Sequence, residues 1–105
     1  MIKVAIVDDN ISIRQALEKM ITGEEGFELI GSYEDLQEAT VLIPFMRPDV
    51  VLMDINFGSG DTGIDCIRKI KPDFPEILFM IVTVFDDDEK IFEALCAGAN
   101  GYMLK

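Results

Sequence analysis

Five short apolar runs recur along this chain about every two dozen residues, and each of the first four is followed by a stretch with helical periodicity. The runs are Lys3–Val7 (KVAIV), Phe27–Ser32 (FELIGS), Asp49–Asp54 (DVVLMD), Ile77–Val82 (ILFMIV) and Gly101–Leu104 (GYML). The first, third and fourth are apolar at consecutive rather than alternate positions. That pattern marks strands buried on both faces, as in a parallel sheet covered by helices. Between the runs, Ile13, Ala16, Leu17, Met20 and Ile21 form one helical face, with Ser12 and Gln15 as its capping box and Gly23 as its stop. Leu36, Ala39, Thr40 and Ile43 repeat the pattern, opened by Ser32 with Asp35 and closed by Pro44 and Pro48. Ile64, Ile67 and Ile70 predict a third helix, ended by Pro72 and Pro75. Ile91, Ala94, Leu95 and Gly98 predict a fourth, capped by Asp86 with Glu89 three residues on. The order is β-α-β-α-β-α-β-α-β, which calls for a parallel sheet with right-handed crossovers.

The chain has 105 residues and half of them are apolar, which is right for one domain and leaves too little core for two. Nine basic against twenty acidic residues give a net charge of −11. Such a surface repels nucleic-acid phosphates and anionic membrane. No histidine is present, so triads and metal sites that use imidazole are excluded within the chain. No apolar stretch approaches the roughly 20 residues of a membrane span. Cys66 and Cys96 form no CxxC motif and read as reduced packing residues of a cytoplasmic protein. The six methionines read as core filler.

In an open parallel sheet, chemistry gathers at the carboxyl ends of the strands. Here the first strand ends in Asp8-Asp9, the third in Asp54, the fourth in Thr83 and the fifth in Lys105. If these strands are neighbours, three carboxylates, a hydroxyl and an ammonium share one rim. Unit charges about 4 Å apart repel by roughly 4 kcal/mol at an effective dielectric near 20, and a divalent cation relieves this. An all-oxygen, partly hydrated site suits Mg²⁺. Metal there neutralises an incoming phosphate, and an aspartate can then act as the nucleophile toward phosphorus.

The segments VAIVDDN, VVLMDI around Asp54, VTVF around Thr83 and EALCAGANGYMLK, in that order and spacing, resemble the receiver domain of two-component response regulators. The resemblance covers residues 1–105 as one domain. TVFDDDEKIFEAL and GANGYMLK are most similar to the NarL/LuxR-type subfamily, whose regulators usually carry a helix-turn-helix output domain. The resemblance implies a flavodoxin-like, doubly wound five-stranded parallel sheet of order 2-1-3-4-5. It implies that Asp54 is the phospho-acceptor, served by a sensor histidine kinase, and that Asp8, Asp9, Asp54 and the backbone carbonyl of Asn56 hold Mg²⁺. Thr83 then matches the switch hydroxyl, Lys105 the ion-pairing lysine, and Tyr102 the aromatic that moves with Thr83. The implied role is a signalling switch controlling transcription through a DNA-binding output domain. It is not an enzyme beyond its own phosphorylation and dephosphorylation.

The sequence departs from the family pattern in three places. The loop after Asp54 lacks the usual Met-Pro pair, carries three glycines from Gly58 to Gly63, and places Gly63 nine rather than eight residues past the acceptor. No proline and fifth helix follow Lys105, so the chain reads as a receiver truncated before its last helix. One sheet face is then covered by the first helix alone, which predicts a homodimer or segment exchange through the bared surface. Lys105 is itself the last residue. These departures keep a second reading open, a degenerate receiver that acts as an interaction scaffold without phosphorylation. A haloacid-dehalogenase-type phosphatase fits less well, because Asn10 stands where its second aspartate belongs. A flavin binder is disfavoured by the acidic DDNIS loop.

Overall fold

A computed structural model describes residues 1–55, 63–83 and 88–104, with Thr83, Asp88 and Leu104 as backbone only. The elements are β1 (Ile2–Val7), α1 (Ile11–Thr22), β2 (Phe27–Tyr33), α2 (Leu36–Met46), β3 (Val50–Met53), α3 (Gly63–Ile70), β4 (Leu78–Thr83), α4 (Asp88–Ala97) and β5 (Gly101–Leu104). All described strand pairs are parallel and the order is β2-β1-β3-β4-β5. This is the doubly wound sheet expected from the apolar runs. Its order reverses between β1 and β3, which opens a crevice at the carboxyl edge beside those two strands.

The core lies on one side of the sheet. Register aligns Ala5 with Val51 and Val51 with Phe79, and likewise Val7 with Met53 and Met53 with Ile81. These six side chains pack in one buried cluster with Leu36, Ala39 and Ile43 of α2, Ile64, Ile67 and Ile70 of α3, and Ala94 of α4. Each large member contributes about 1.5–3 kcal/mol relative to exposure. The opposite side is thinner. Val4 and Ile6 are buried there under α1, yet α1 itself has no buried residue. Met20 is 66% exposed, and Leu78 and Met103 are each 46% exposed. A sheet face covered by the first helix alone is therefore present in the described residues.

Several local expectations are corrected. The cap of α1 is Asn10, whose side chain accepts from the Ile13 amide at 3.1 Å. Asn10 is still extended as the chain leaves β1, so the helix starts before Ser12 and the proposed Ser12–Gln15 box falls inside its first turn. Gly23 does stop α1, but with right-handed backbone angles; the positive φ falls on Gly26. Asp35 alone caps α2, accepting from the Gln37 amide at 2.8 Å. Ser32 lies on β2, and its buried hydroxyl has no hydrogen-bond partner among the described residues.

Pro44 does not end α2 but sits within it. The Thr40 carbonyl thus receives no amide from residue 44, while the Thr40 hydroxyl donates to the Leu36 carbonyl at 2.7 Å. The helix ends at Arg47, in the left-handed region with φ 48°, whose amide donates to the Ile43 carbonyl. Of the six methionines only Met53 is buried, so the filler reading holds for that one. The cap proposed at Asp86 lies outside the described residues.

The two cysteines differ. Cys66 is buried between α2 and α3, while Cys96 is exposed on α4 and is not a packing residue. Burial pushes the Cys66 thiol up, against a hydrogen bond from Thr40 at 3.3 Å and the charge of Lys69, both of which act to lower it. A raised thiol pKa means less thiolate at neutral pH and slower alkylation. Iodoacetamide is expected to label Cys96 in the folded protein and both cysteines in denaturant. Equal labelling of both in the folded protein, read by peptide mass mapping, contradicts this.

Candidate functional site

The sheet's hydrogen-bond ladder runs one residue past β1 and β3 and fixes the acidic residues there. The Asp8 amide donates to the Tyr33 carbonyl at 3.0 Å, and the Asp54 amide to the Val7 carbonyl at 2.9 Å. Asp8 is 1% exposed and Asp54 6%, while Asp9 faces solvent. Carboxylate oxygens of all three lie within 4.8 Å of one another. Burial of carboxylates costs several kcal/mol unless charge is compensated. Three hard oxygen donors at this spacing fit one Mg²⁺ with room for water and a phosphate oxygen.

Neighbouring groups hold this arrangement in place. The Asn10 amide donates to the Asp8 carboxylate at 2.9 Å, and the Arg14 guanidinium donates to the Asp8 carbonyl at 2.9 Å. Asn10 thus ties the acidic turn to the start of α1 from both ends, through its amide and its capping side chain. On the β3 side, Gly63 begins α3 directly against the end of that strand. A Cβ at this position would run into the Asp54 carbonyl oxygen and come within 2.7 Å of Met53 Cγ. The Gly63 amide also donates to the Ile55 carbonyl at 3.3 Å.

The structure gathers Asp8, Asp9 and Asp54 as the spacing predicts. Thr83 is the last residue of β4, paired in register with Leu104, so its backbone reaches the same edge. Tyr102 pairs with Ile81 and is 48% exposed. Asn56 and Lys105, and the loop from 58 to 62, lie outside the described residues. Asn10 and Arg14 were not singled out from sequence. An Asn next to the first apolar helical residue is a cap signal, but Ser12 and Gln15 offered a competing one.

Residues 4–105 match the response regulator receiver domain family. The chain belongs to that family. Its fold is the CheY-like receiver fold, and its relatives place it with the LuxR/NarL-type two-component response regulators. The receiver is 35% identical over 103 residues to the oxygen regulatory protein NreC of Staphylococcus epidermidis, covering 98% of this chain and 47% of NreC. It superimposes with a TM-score of 0.90 on a LuxR-family response regulator from Aurantimonas, at 28% identity, covering 98% of this chain and 73% of that one. A LuxR-family DNA-binding response regulator from Staphylococcus aureus gives a TM-score of 0.89 at 27% identity, covering 99% and 86%. The receiver thus spans about half the length of the curated relatives it matches. Receivers of this family are not classical enzymes. No described helix is long and apolar enough to cross a membrane.

Proposed function

We propose that this receiver takes a phosphoryl group on Asp54, in a Mg²⁺-dependent step, from a sensor histidine kinase in the cytoplasm. The observation that carries this is the grouping of Asp8, Asp9 and Asp54 within 4.8 Å at the ends of adjacent strands. An Asp54 carboxylate oxygen attacks phosphorus. A new O–P bond forms as the P–N bond to the kinase's phosphohistidine breaks, and the imidazole leaves with a proton. Residues 1–105 contain no histidine, so the donor lies outside them, in a kinase or a small phosphoanhydride. Mg²⁺ held by Asp8, Asp9, Asp54 and the Asn56 carbonyl would supply charge compensation on the phosphoryl oxygens.

Thr83 and Lys105 are read as the groups drawn to the phosphoryl charge, with Tyr102 following from its half-exposed position on β5. The surface of α4 and β5 then changes as a population shift between two states. The chain's own chemistry is limited to gaining and losing this group. Its charge of −11 leaves DNA contact to an output domain beyond residues 1–105, a reading supported by relatives about twice as long. Incubation with acetyl phosphate tests the reading by intact mass. One phosphoryl adduct that requires Mg²⁺ and maps to Asp54 is expected. A folded sample with no adduct supports the scaffold reading instead.

We also infer that further polypeptide covers the face beside α1 in the working protein, and that the 105-residue chain alone covers it with a second copy or by exchanging a segment. The exposed Met20, Leu78 and Met103 support this. Light scattering is expected to show mass rising with concentration, and Met20→Lys with Met103→Lys is expected to reduce the rise. A mass independent of concentration contradicts it.

A further inference from the structure

One arginine stands beside the acidic turn without pairing with its carboxylates. Arg14 lies near the start of α1, partly buried, and its guanidinium Nη1 donates to the backbone carbonyl of Asp8 at 2.9 Å. Among the described residues, no carboxylate lies within ion-pair distance of that guanidinium. An arginine this close in sequence to two aspartates commonly pairs with a carboxylate, because a charged, two-pronged pair is its strongest contact. Aimed at a carbonyl instead, Arg14 does not itself neutralise the acids. What it contributes there is geometry.

The carbonyl it holds belongs to the peptide that joins Asp8 to Asp9. A peptide unit is planar, so fixing its oxygen fixes the direction in which the chain enters Asp9. The other side of Asp8 is fixed as well, because its amide donates to the Tyr33 carbonyl at 3.0 Å. Beyond that point the chain has left β1, and Asp9 faces solvent outside any strand or helix. Arg14 is in turn anchored by the helix that carries it. Its amide donates to the Asn10 carbonyl at 2.9 Å, and the Asn10 amide donates to the Asp8 carboxylate at 2.9 Å. Asp8, Asn10 and Arg14 thus close a ring of hydrogen bonds that spans Asp9.

We propose that Arg14 is a positioning residue for the cation site: by holding the Asp8–Asp9 peptide, it directs the Asp9 carboxylate toward those of Asp8 and Asp54. This role rests on Asp8, Asp9 and Asp54 being the Mg²⁺ ligands, as proposed above, and adds a residue that acts on them through the backbone. Geometry and charge predict opposite results. If Arg14 acted only through its charge, removing it would strengthen Mg²⁺ binding, since like charges repel. If it acts through the peptide it holds, removing it weakens Mg²⁺ binding.

Titration of the chain with MgCl₂, followed by the nuclear magnetic resonance shifts of the Asp9 and Asn10 amides, separates the two. The constant is read on folded-state signals, so a general loss of stability leaves it unchanged. Arg14→Met keeps the aliphatic stem and removes the donors. It is expected to raise the Mg²⁺ dissociation constant about tenfold, the low end for losing a group that orients a metal ligand. Arg14→Lys keeps the charge and one donor group without the planar fork, and a smaller rise is expected. Should Arg14→Met fail to fold, the rise in Arg14→Lys decides. A constant equal to or below that of wild type in the folded variants overturns the proposal and leaves the Mg²⁺ ligands standing. Wild-type amides that Mg²⁺ does not shift, or shifts equally in Asp54→Asn, overturn the ligand assignment and this role with it.

Discussion

Mg²⁺ is expected to raise the melting temperature of this receiver, and Asp54→Asn and Asp9→Asn are each expected to remove most of that gain. The cause is linkage: a cation that binds the folded state and not the unfolded chain stabilises by RT ln(1 + [L]/Kd). At about ten times Kd this is about 1.4 kcal/mol, or roughly 5–10 °C for a domain of this size. The folded chain presents carboxylates of Asp8, Asp9 and Asp54 within 4.8 Å of one another, whereas the unfolded chain separates Asp54 from the pair by 45 or more positions. Ca²⁺ competes poorly if three carboxylates and water set a small octahedral site. Differential scanning fluorimetry with and without metal checks this. An equal Mg²⁺ shift in wild type and Asp54→Asn would place the cation elsewhere.

Much of the fold was legible because three of its strands are apolar at consecutive positions. VAIV, VVLM and ILFMIV have no polar position, and that continuity points to parallel strands under helices. The site followed from the same logic, since acids placed directly after such runs land at the carboxyl edge. What the periodicity missed lies where local and tertiary preferences compete. Asn10 won the α1 cap over Ser12 because the chain leaving β1 is still extended at residue 10. Pro44 stayed inside α2 because tertiary packing of Ala39 and Ile43 outweighs one missing hydrogen bond. Cys96 and most of the methionines are exposed because composition says which residues prefer the interior, not which face of a helix they occupy. Val41, Leu42 and Phe45, exposed on the outer side of α2, were not singled out by a pattern that looks for one apolar face.

Gly63→Ala is expected to lower stability by about 1–3 kcal/mol, the usual range for forcing extra volume into a packed interior. Gly63 is fully enclosed at the start of α3, with the Asp54 carbonyl and the Met53 side chain where a Cβ would go. Gly63 lies within α3, whose right-handed backbone any L residue adopts, so the argument for the penalty is steric. Relief requires the first turn of α3 to move away from β3, or the backbone at Asp54 to shift. Met53 is buried and flexible and can yield in part, but the Asp54 carbonyl oxygen moves only with the backbone there. The substitution therefore acts on two measurements at once. Chemical denaturation reports the lost stability, and, on the proposed chemistry, the rate of acetyl-phosphate labelling falls because the Asp54 carboxylate is displaced from Asp8 and Asp9. A core substitution remote from the site, such as Ile70→Val, separates these effects, since it costs about 0.5–1.5 kcal/mol and leaves the geometry at Asp54 unchanged. If Gly63→Ala loses stability but labels at the wild-type rate, the contact with Asp54 is packing alone. If it loses neither, the close approach of α3 to the end of β3 is wrong.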